Sequence, residues 1–121
     1  MYIDDTIVAI ATPAGRGGVG IVRLSGPESL HIAQKITSQT LKPRYATYTK
    51  CVDEQQQVID EGIVLYFNRP HSYTGEEVVE FQMHGSPWVL GELLRLCQSL
   101  GARLARPGEF TERAFLNDKM D

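Results

Sequence analysis

The sequence predicts an α+β domain in which a mixed, largely antiparallel sheet carries helices packed on it. Strand-like segments dominate, and the order along the chain reads β-β-α-β-β-β-α-β-α. Consecutive strands favour antiparallel pairing, whereas a doubly wound sheet needs strands and helices to alternate. With 121 residues, 42% of them hydrophobic and 22% charged, residues 1–121 fit one domain that buries a core without disulfides or metal.

The first third of the chain predicts two strands and a helix. Residues 6–12 form a short apolar run between acidic residues and a proline, which is typical of a buried strand. Residues 18–25 form the second strand, in which Arg23 is the one charge. Ser25 is the expected cap of a helix over residues 28–37.

The middle of the chain predicts a hairpin. Residues 45–52 and 58–67 are rich in strand-forming types, and the polar residues 53–57 lie between them. This spacing indicates a hairpin with a five-residue loop. We expect the second strand of the hairpin to lie inside the sheet, because its core is continuously apolar.

The next strand, residues 77–84, places polar chemistry on a single face. Glu80, Gln82 and His84 alternate with an apolar set, Val79, Phe81 and Met83. A loop precedes this strand and a helix start follows it, an arrangement at which α/β proteins often bind ligands, so Glu80 is the leading candidate binding residue. The alternative is an ordinary half-exposed antiparallel strand. His84 has no His, Cys or carboxylate at dyad spacing and is expected to be structural.

The remaining elements are two helices and a short strand. Ser86 and Pro87 fit the start of a helix over Pro87–Ser99, and Gly101 fits the left-handed position after it. Residues 103–106 predict an edge strand, and Glu109–Leu116 predict a helix. The last five residues lack the character of a natural tail, so we expect a fragment of a longer protein.

Composition narrows the function classes. A net charge of −3 makes the chain a poor stand-alone nucleic-acid binder, so such a role would have to be local or shared with other domains. Cys51 and Cys97 lack a metal-site partner in the sequence. Neither a leader nor a run of 18 apolar residues occurs, so we expect a cytoplasmic protein without a membrane span.

No catalytic motif emerges. Residues 15–20 match Gly-x-Gly-x-x-Gly, but a strand follows where a dinucleotide site needs a helix, and the Walker lysine motif is missing. We therefore expect no GTPase active site here, and assign Gly17, Gly18 and Gly20 to close backbone approach of a ligand or partner. Taken singly, six charges are expected to be solvated at the surface: Arg23, Glu80, Arg106, Glu109, Arg113 and Lys119.

Four segments carry a family resemblance: DTIVAIATP at 5–13, GRGGVGIVR at 15–23, PHSYTGE at 70–76 and RPGEFTERAFLN at 106–117. Together they closely resemble the amino-terminal domain of the MnmE (TrmE) family of tRNA uridine-modification GTPases. The resemblance implies a fold similar to the tetrahydrofolate-binding domain of aminomethyltransferases and a homodimer formed through this domain. It also implies a bound 5-formyl- or methylene-tetrahydrofolate contacted by Arg23, Glu80 and Lys119.

The same resemblance implies what lies outside this chain. The family continues with a helical domain and an inserted GTPase domain, which use GTP, K+ and Mg2+. It acts with an FAD-dependent partner (MnmG, or GidA) on the wobble uridine of tRNA. This sequence departs from the family pattern at Ala14, Ser86 and Asp118, and Asp118 sets a carboxylate beside Lys119.

The folate contacts make chemical sense, because a reduced pterin offers adjacent N–H donors that the carboxylate of Glu80 can accept. The carboxylates of the glutamyl tail instead require a cation such as Arg23 or Lys119. The alternatives are a purely structural dimerisation domain and a shallow RNA-contacting surface. The overall composition disfavours the latter, because it shows no basic patch.

Overall fold

The computed structural model of the chain describes residues 5–11 and 18–119. Nine elements follow one another in the predicted order, and the α+β class is confirmed. They are β1 (Ile7–Ile10), β2 (Val19–Ser25), α1 (Ser29–Thr37), β3 (Thr47–Val52), β4 (Val58–Phe67), β5 (Val78–His84), α2 (Pro87–Ser99), β6 (Arg103–Leu104) and α3 (Glu109–Leu116).

The strands form one six-stranded sheet in the order β3-β4-β5-β2-β1-β6. All neighbours are antiparallel except β1 and β6, which are parallel. The predicted mixed, largely antiparallel sheet is therefore confirmed. The hairpin strand β4 lies between β3 and β5, as its apolar core requires, and β6 lies at the edge.

Helices α1 and α2 cover one face of this sheet. The apolar set of β5 is buried there, together with alternate residues of β2 and the inward stripes of both helices: Val22, Leu24, Ile32, Ile36, Val79, Phe81, Met83, Leu93 and Leu96. Burial of each such side chain contributes about 1.5 to 3 kcal/mol. Gly20 lets α2 approach, because a Cβ there would lie 2.6 Å from Leu90 Cδ1. The expectation that Gly20 faces a ligand or partner is wrong.

Two local expectations have opposite outcomes. Ser86 does cap α2, where its Oγ accepts a hydrogen bond from the Val89 N–H. Ser25 does not cap α1: it is buried at the end of β2, where its Oγ lies 2.7 Å from Thr74 Oγ1 and donates to Glu76 Oε1 at 2.6 Å. Ser25 is the last residue of β2 and is still paired with Val78 of β5, which holds its side chain in this buried position.

The other face of the sheet, called here the open face, carries neither α1 nor α2. Strand register places Arg23, Glu80 and Leu65 in one row across β2, β5 and β4. The next row contains Ile21, Gln82 and Ile63, with Tyr48 at the outer edge on β3. Because paired residues of neighbouring strands point to the same face, polar and apolar side chains share this surface.

Helix α3 is held by a group of charges, called here the Arg113 cluster: Asp5, Glu76, Arg103, Glu109 and Arg113. The Arg113 side chain is 4% exposed and lies 3.2 Å from Glu76 and 3.3 Å from Glu109, and it also pairs with Asp5. Arg103 bonds both Asp5 and Glu109 at 2.7 Å. The expectation that Glu109 and Arg113 are solvated surface charges is therefore wrong.

The cluster stabilises its carboxylates in the charged form where arginine contacts are closest. Hydrogen bonds from Arg103 lower the pKa of Glu109 to about 2, and that of Asp5 also to about 2. Burial raises the pKa of Glu76, and the attraction of Arg113 opposes this effect. Charges before β1, on β6, in the loop before β5 and on α3 therefore compensate one another, with Glu76, Glu109 and Arg113 buried and Asp5 and Arg103 partly exposed.

We predict that Arg113→Met destabilises the fold by about 3 to 5 kcal/mol, because it leaves the buried carboxylates of Glu76 and Glu109 without their shared cation. Urea unfolding followed by circular dichroism measures the loss. The matched control is Arg95→Met, which breaks exposed pairs with Glu54 and Glu92 and should leave the midpoint nearly unchanged. Equal midpoints for the two variants would contradict the importance of the cluster.

Candidate ligand-binding site on the open face

Arg23 and Glu80 contact each other on the open face. Arg23 Nε donates to Glu80 Oε2 at 2.8 Å, and a terminal nitrogen of Arg23 lies 2.7 Å from the same oxygen. Their direct pairing follows from the register of β2 and β5, which sets the two residues opposite each other. Two charges that lie 57 residues apart in sequence thus form one polar centre.

The two oxygens of Glu80 are in different situations. Oε2 is engaged by the Arg23 guanidinium, whereas the hydrogen bond to Oε1, from Gln82 Nε2, is long at 3.4 Å. The side chain is 16% exposed. A half-buried carboxylate that is bonded to arginine through one oxygen and only weakly bonded through the other can accept hydrogen bonds from N–H donors of a ligand.

Helix α3 brings an aromatic ring and a cavity to this centre. The Arg23 guanidinium lies 6.0 Å from the centroid of the Phe110 ring, within the range of a cation–π contact. A cavity of about 410 Å³ opens beside it, and its lining includes Arg23, Arg106, Pro107 and Phe110. Sequence reasoning counted Phe110 only as an apolar helix residue, because spacing along a helix does not reveal which strand the helix covers.

Lys119 lies apart from the pair, against the loop that leads into β5. Its backbone N–H donates to the Ala114 carbonyl at 2.8 Å, and its Cγ lies 3.1 Å from where a Cβ on Gly75 would be. Asn117 Nδ2 donates to the Thr74 carbonyl at 3.0 Å and fixes the same junction. The structure thus brings Arg23 and Glu80 together and places Lys119 apart from them, against the loop before β5.

His84 has a carboxylate partner that sequence spacing did not reveal. Its Nδ1 lies 2.9 Å from Asp60 Oδ2, and its backbone N–H donates to the same carboxylate at 2.9 Å. The expectation that no carboxylate stands beside His84 is wrong, because Asp60 reaches it from the neighbouring strand. Two bonds from one residue to Asp60 fix the end of β5, which agrees with the structural role expected for His84.

The remaining candidate groups have no visible part in a site. Burial raises the pKa of the Cys51 thiol to about 12, and Cys97 is buried as well. Between residues 5 and 11 and between 18 and 119, no three His, Cys, Asp or Glu side chains group as metal ligands. No helix in these ranges is long and apolar enough to cross a membrane. Gly15, Arg16 and Gly17 of the glycine-rich loop lie outside the described residues.

Comparisons with known proteins show which family the chain resembles. Residues 6–119 match the family described as GTP-binding protein TrmE N-terminus. The chain is 60% identical over its whole length to the tRNA modification GTPase MnmE of Chromohalobacter salexigens, of which it covers 26%. It is 56% identical over its whole length to the MnmE of Francisella philomiragia, covering 27% of that protein.

A third relative is the MnmE of Pseudomonas savastanoi pv. phaseolicola, which is 62% identical over 97% of this chain, corresponding to 26% of the relative. The chain therefore spans about a quarter of the length of the curated relatives that it matches. A match over nearly all of its residues and identities above one half show the family. The chain belongs to the family of TrmE (MnmE) amino-terminal domains.

Proposed function

We propose that this domain binds a one-carbon tetrahydrofolate, the 5-formyl or methylene form, on the open face and forms a homodimer. The observation that carries the proposal is the Arg23–Glu80 pair, which lies beside a cavity of about 410 Å³. The domain would serve as the amino-terminal part of a longer GTPase that directs carboxymethylaminomethyl modification of the tRNA wobble uridine.

Glu80 is the proposed pterin acceptor. The pterin amino group and its neighbouring ring N–H point in the same direction, so one carboxylate can accept both. The weakly bonded Oε1 supplies acceptor capacity, while the Arg23 guanidinium compensates the charge at Oε2. Hydrogen bonds to an ionised acceptor are shorter and stronger than neutral ones.

The rest of the ligand has partners around the pair. Phe110 offers an apolar face beside Arg23, against which an aromatic ring can pack. Lys119, which follows α3 and packs against the loop before β5, is the proposed cation for a carboxylate of the glutamyl tail. In the described part of the chain, Lys119 forms no ion pair, so its charge remains available to a ligand.

A purely structural dimerisation domain is the competing proposal. Apolar residues at the centre of the sheet would stabilise such a domain more than an ion pair does, because desolvation of an ion pair offsets much of its Coulomb attraction. Arg23 and Glu80 stand in the middle rows of the open face, where an apolar pair would pack equally well. Their presence favours a ligand that needs charge.

The wider activity belongs to the parent protein. We propose that GTP, K+ and Mg2+ act in parts beyond this chain. The parent would work in the cytoplasm with an FAD-dependent partner (MnmG, or GidA) on tRNA. The relatives named above are tRNA modification GTPases, and this name supports the proposed parent activity.

We predict that Glu80→Gln weakens the binding of 5-formyltetrahydrofolate about tenfold or more, because the amide replaces one acceptor oxygen by a donor that faces pterin donors. Calorimetric titration of the folded variant measures this. Glu61→Gln on β4 makes the same change of charge and should bind as the parent chain does. Unchanged affinity of Glu80→Gln would remove Glu80 from the site.

We predict that the chain is a dimer in which a second copy covers part of the open face and leaves the Arg23–Glu80 pair and the outer edge at β3 accessible. Val19 and Ile63 are exposed on this face, and Ile63→Lys should shift the chain toward monomer because it buries an ammonium in an apolar contact. Light scattering at tens of micromolar measures the mass. Trp88→Lys, an equivalent change on exposed α2, should remain dimeric. A monomeric parent chain under these conditions would refute dimerisation through this domain alone.

A further inference from the structure

Basic charge is concentrated in one segment of this acidic chain. Residues 29–52 contain four of the twelve Lys and Arg residues and none of the fifteen Asp and Glu residues. The segment includes α1 and the edge strand β3. The expectation from overall composition, that no basic patch exists, therefore overlooks a local excess of positive charge.

The cations near β3 differ from most arginines elsewhere in the described residues, because no carboxylate forms an ion pair with them. Ion pairs with carboxylates engage Arg23, Arg95, Arg103, Arg106 and Arg113. Across residues 18–119, by contrast, Lys42, Arg44 and Lys50 form no ion pair, although Lys50 stands opposite Glu61 in the strand register. Their charges are exposed to solvent and, although Glu61 offsets part of the charge of Lys50, they remain available to an external anion.

Aromatic rings lie among these cations. Tyr45 and Tyr48 are 60% and 68% exposed, and the Lys42 ammonium lies 5.8 Å from the centroid of the Tyr45 ring. The segment is fixed in place, because Arg44 N–H donates to the Tyr66 carbonyl at 2.7 Å. We name this surface the β3 strip; it consists of Lys42, Arg44, Tyr45, Tyr48 and Lys50.

We propose that the β3 strip contacts the phosphate backbone of RNA, with tRNA as the partner. Uncompensated cations supply the affinity of proteins for phosphates, and exposed tyrosines offer surfaces for unpaired bases. Arg44 and Lys50 are six residues apart, so the chain between them spans at most about 20 Å, a length that several consecutive phosphates occupy. This inference rests on the proposed role in tRNA modification and assigns part of the substrate contact to this domain.

Protection of the sheet edge is a simpler account of a basic edge strand. Lysines on edge strands prevent pairing with other sheets, and Lys50 fits this purpose. Lys42 and Arg44, however, lie before β3 and flank Pro43, whose bridge to Tyr66 already covers this end of the β4 edge. The interleaved tyrosines would also favour association of edges rather than prevent it. Contact with an anionic polymer accounts for both features.

Binding of fluorescein-labelled tRNA, followed by anisotropy at about 50 and 200 mM salt, tests the inference. Three phosphate contacts predict an affinity loss of about 20- to 40-fold between these concentrations. The triple variant Lys42→Gln, Arg44→Gln, Lys50→Gln should lose most of this salt dependence. Circular dichroism should show an unchanged fold, because all three side chains are exposed.

Single variants separate the strip from general charge. Lys50→Gln should reduce the steepness of log affinity against log salt by about one. Lys50→Arg keeps the positive charge and should leave the steepness unchanged. Lys35→Gln removes the same charge from the end of α1, and should leave the slope unchanged. Absence of tRNA binding by the parent chain at low salt, or equal binding by the triple variant, would overturn the inference. A triple variant that changes its oligomeric state instead would identify the strip as a contact between copies.

Folate and tRNA titrations of the parent chain distinguish the two proposals. If folate binds and tRNA does not, the strip inference fails alone. If tRNA binds through the strip and folate does not, the cofactor assignment fails and the strip stands.

Discussion

The Arg113 guanidinium holds together three parts of the chain that are distant in sequence. It pairs with Asp5 before β1, Glu76 in the loop before β5 and Glu109 at the start of its own helix. Helix α3 has little apolar burial of its own, since Ala114 is buried while Phe115 and Leu116 are exposed. The helix is therefore held mainly by compensated charge, and its position depends on this cluster.

The candidate site depends on α3 in turn. The helix carries Phe110, whose ring lies beside the Arg23 guanidinium, and it ends where Lys119 packs against Gly75. The loop that contains Gly75 also supplies Glu76 to the cluster, so ring, loop and lysine are linked to the same set of charges. Loss of the cluster would disturb both sides of the proposed folate site, and its member Glu109 itself lines the cavity.

The two faces of the sheet differ in how much of their structure could be predicted from the sequence. The helix-covered face follows from periodicity, because Val79, Phe81 and Met83 alternate with polar residues whatever their partners are. The order of elements along the chain, the hairpin loop at 53–57 and the bounds of α2 and α3 were predictable on this basis. The polar alternates of β5 identified the opposite face, and family resemblance added Arg23 and Lys119 to Glu80.

Partner identity was not predictable from local pattern. Arg113 and Asp5 are 108 residues apart, and Ser25 and Glu76 are 51 apart. His84 and Asp60 meet only because two strands are in register. Local spacing reports which side of an element a residue occupies, whereas these contacts depend on how distant elements are arranged. A charged residue such as Glu109, which taken alone was expected to be solvated, is therefore buried among charged partners.

Backbone amide signals of the isotopically labelled chain, followed by NMR during titration with 5-formyltetrahydrofolate, test the central claim most directly. The account predicts saturable shifts at Arg23, Glu80 and Phe110 on the open face and at Lys119 beside the loop, with the β3 strip unaffected. Saturable shifts confined to the helix-covered side, or no shifts at millimolar ligand, would contradict a folate site on the open face.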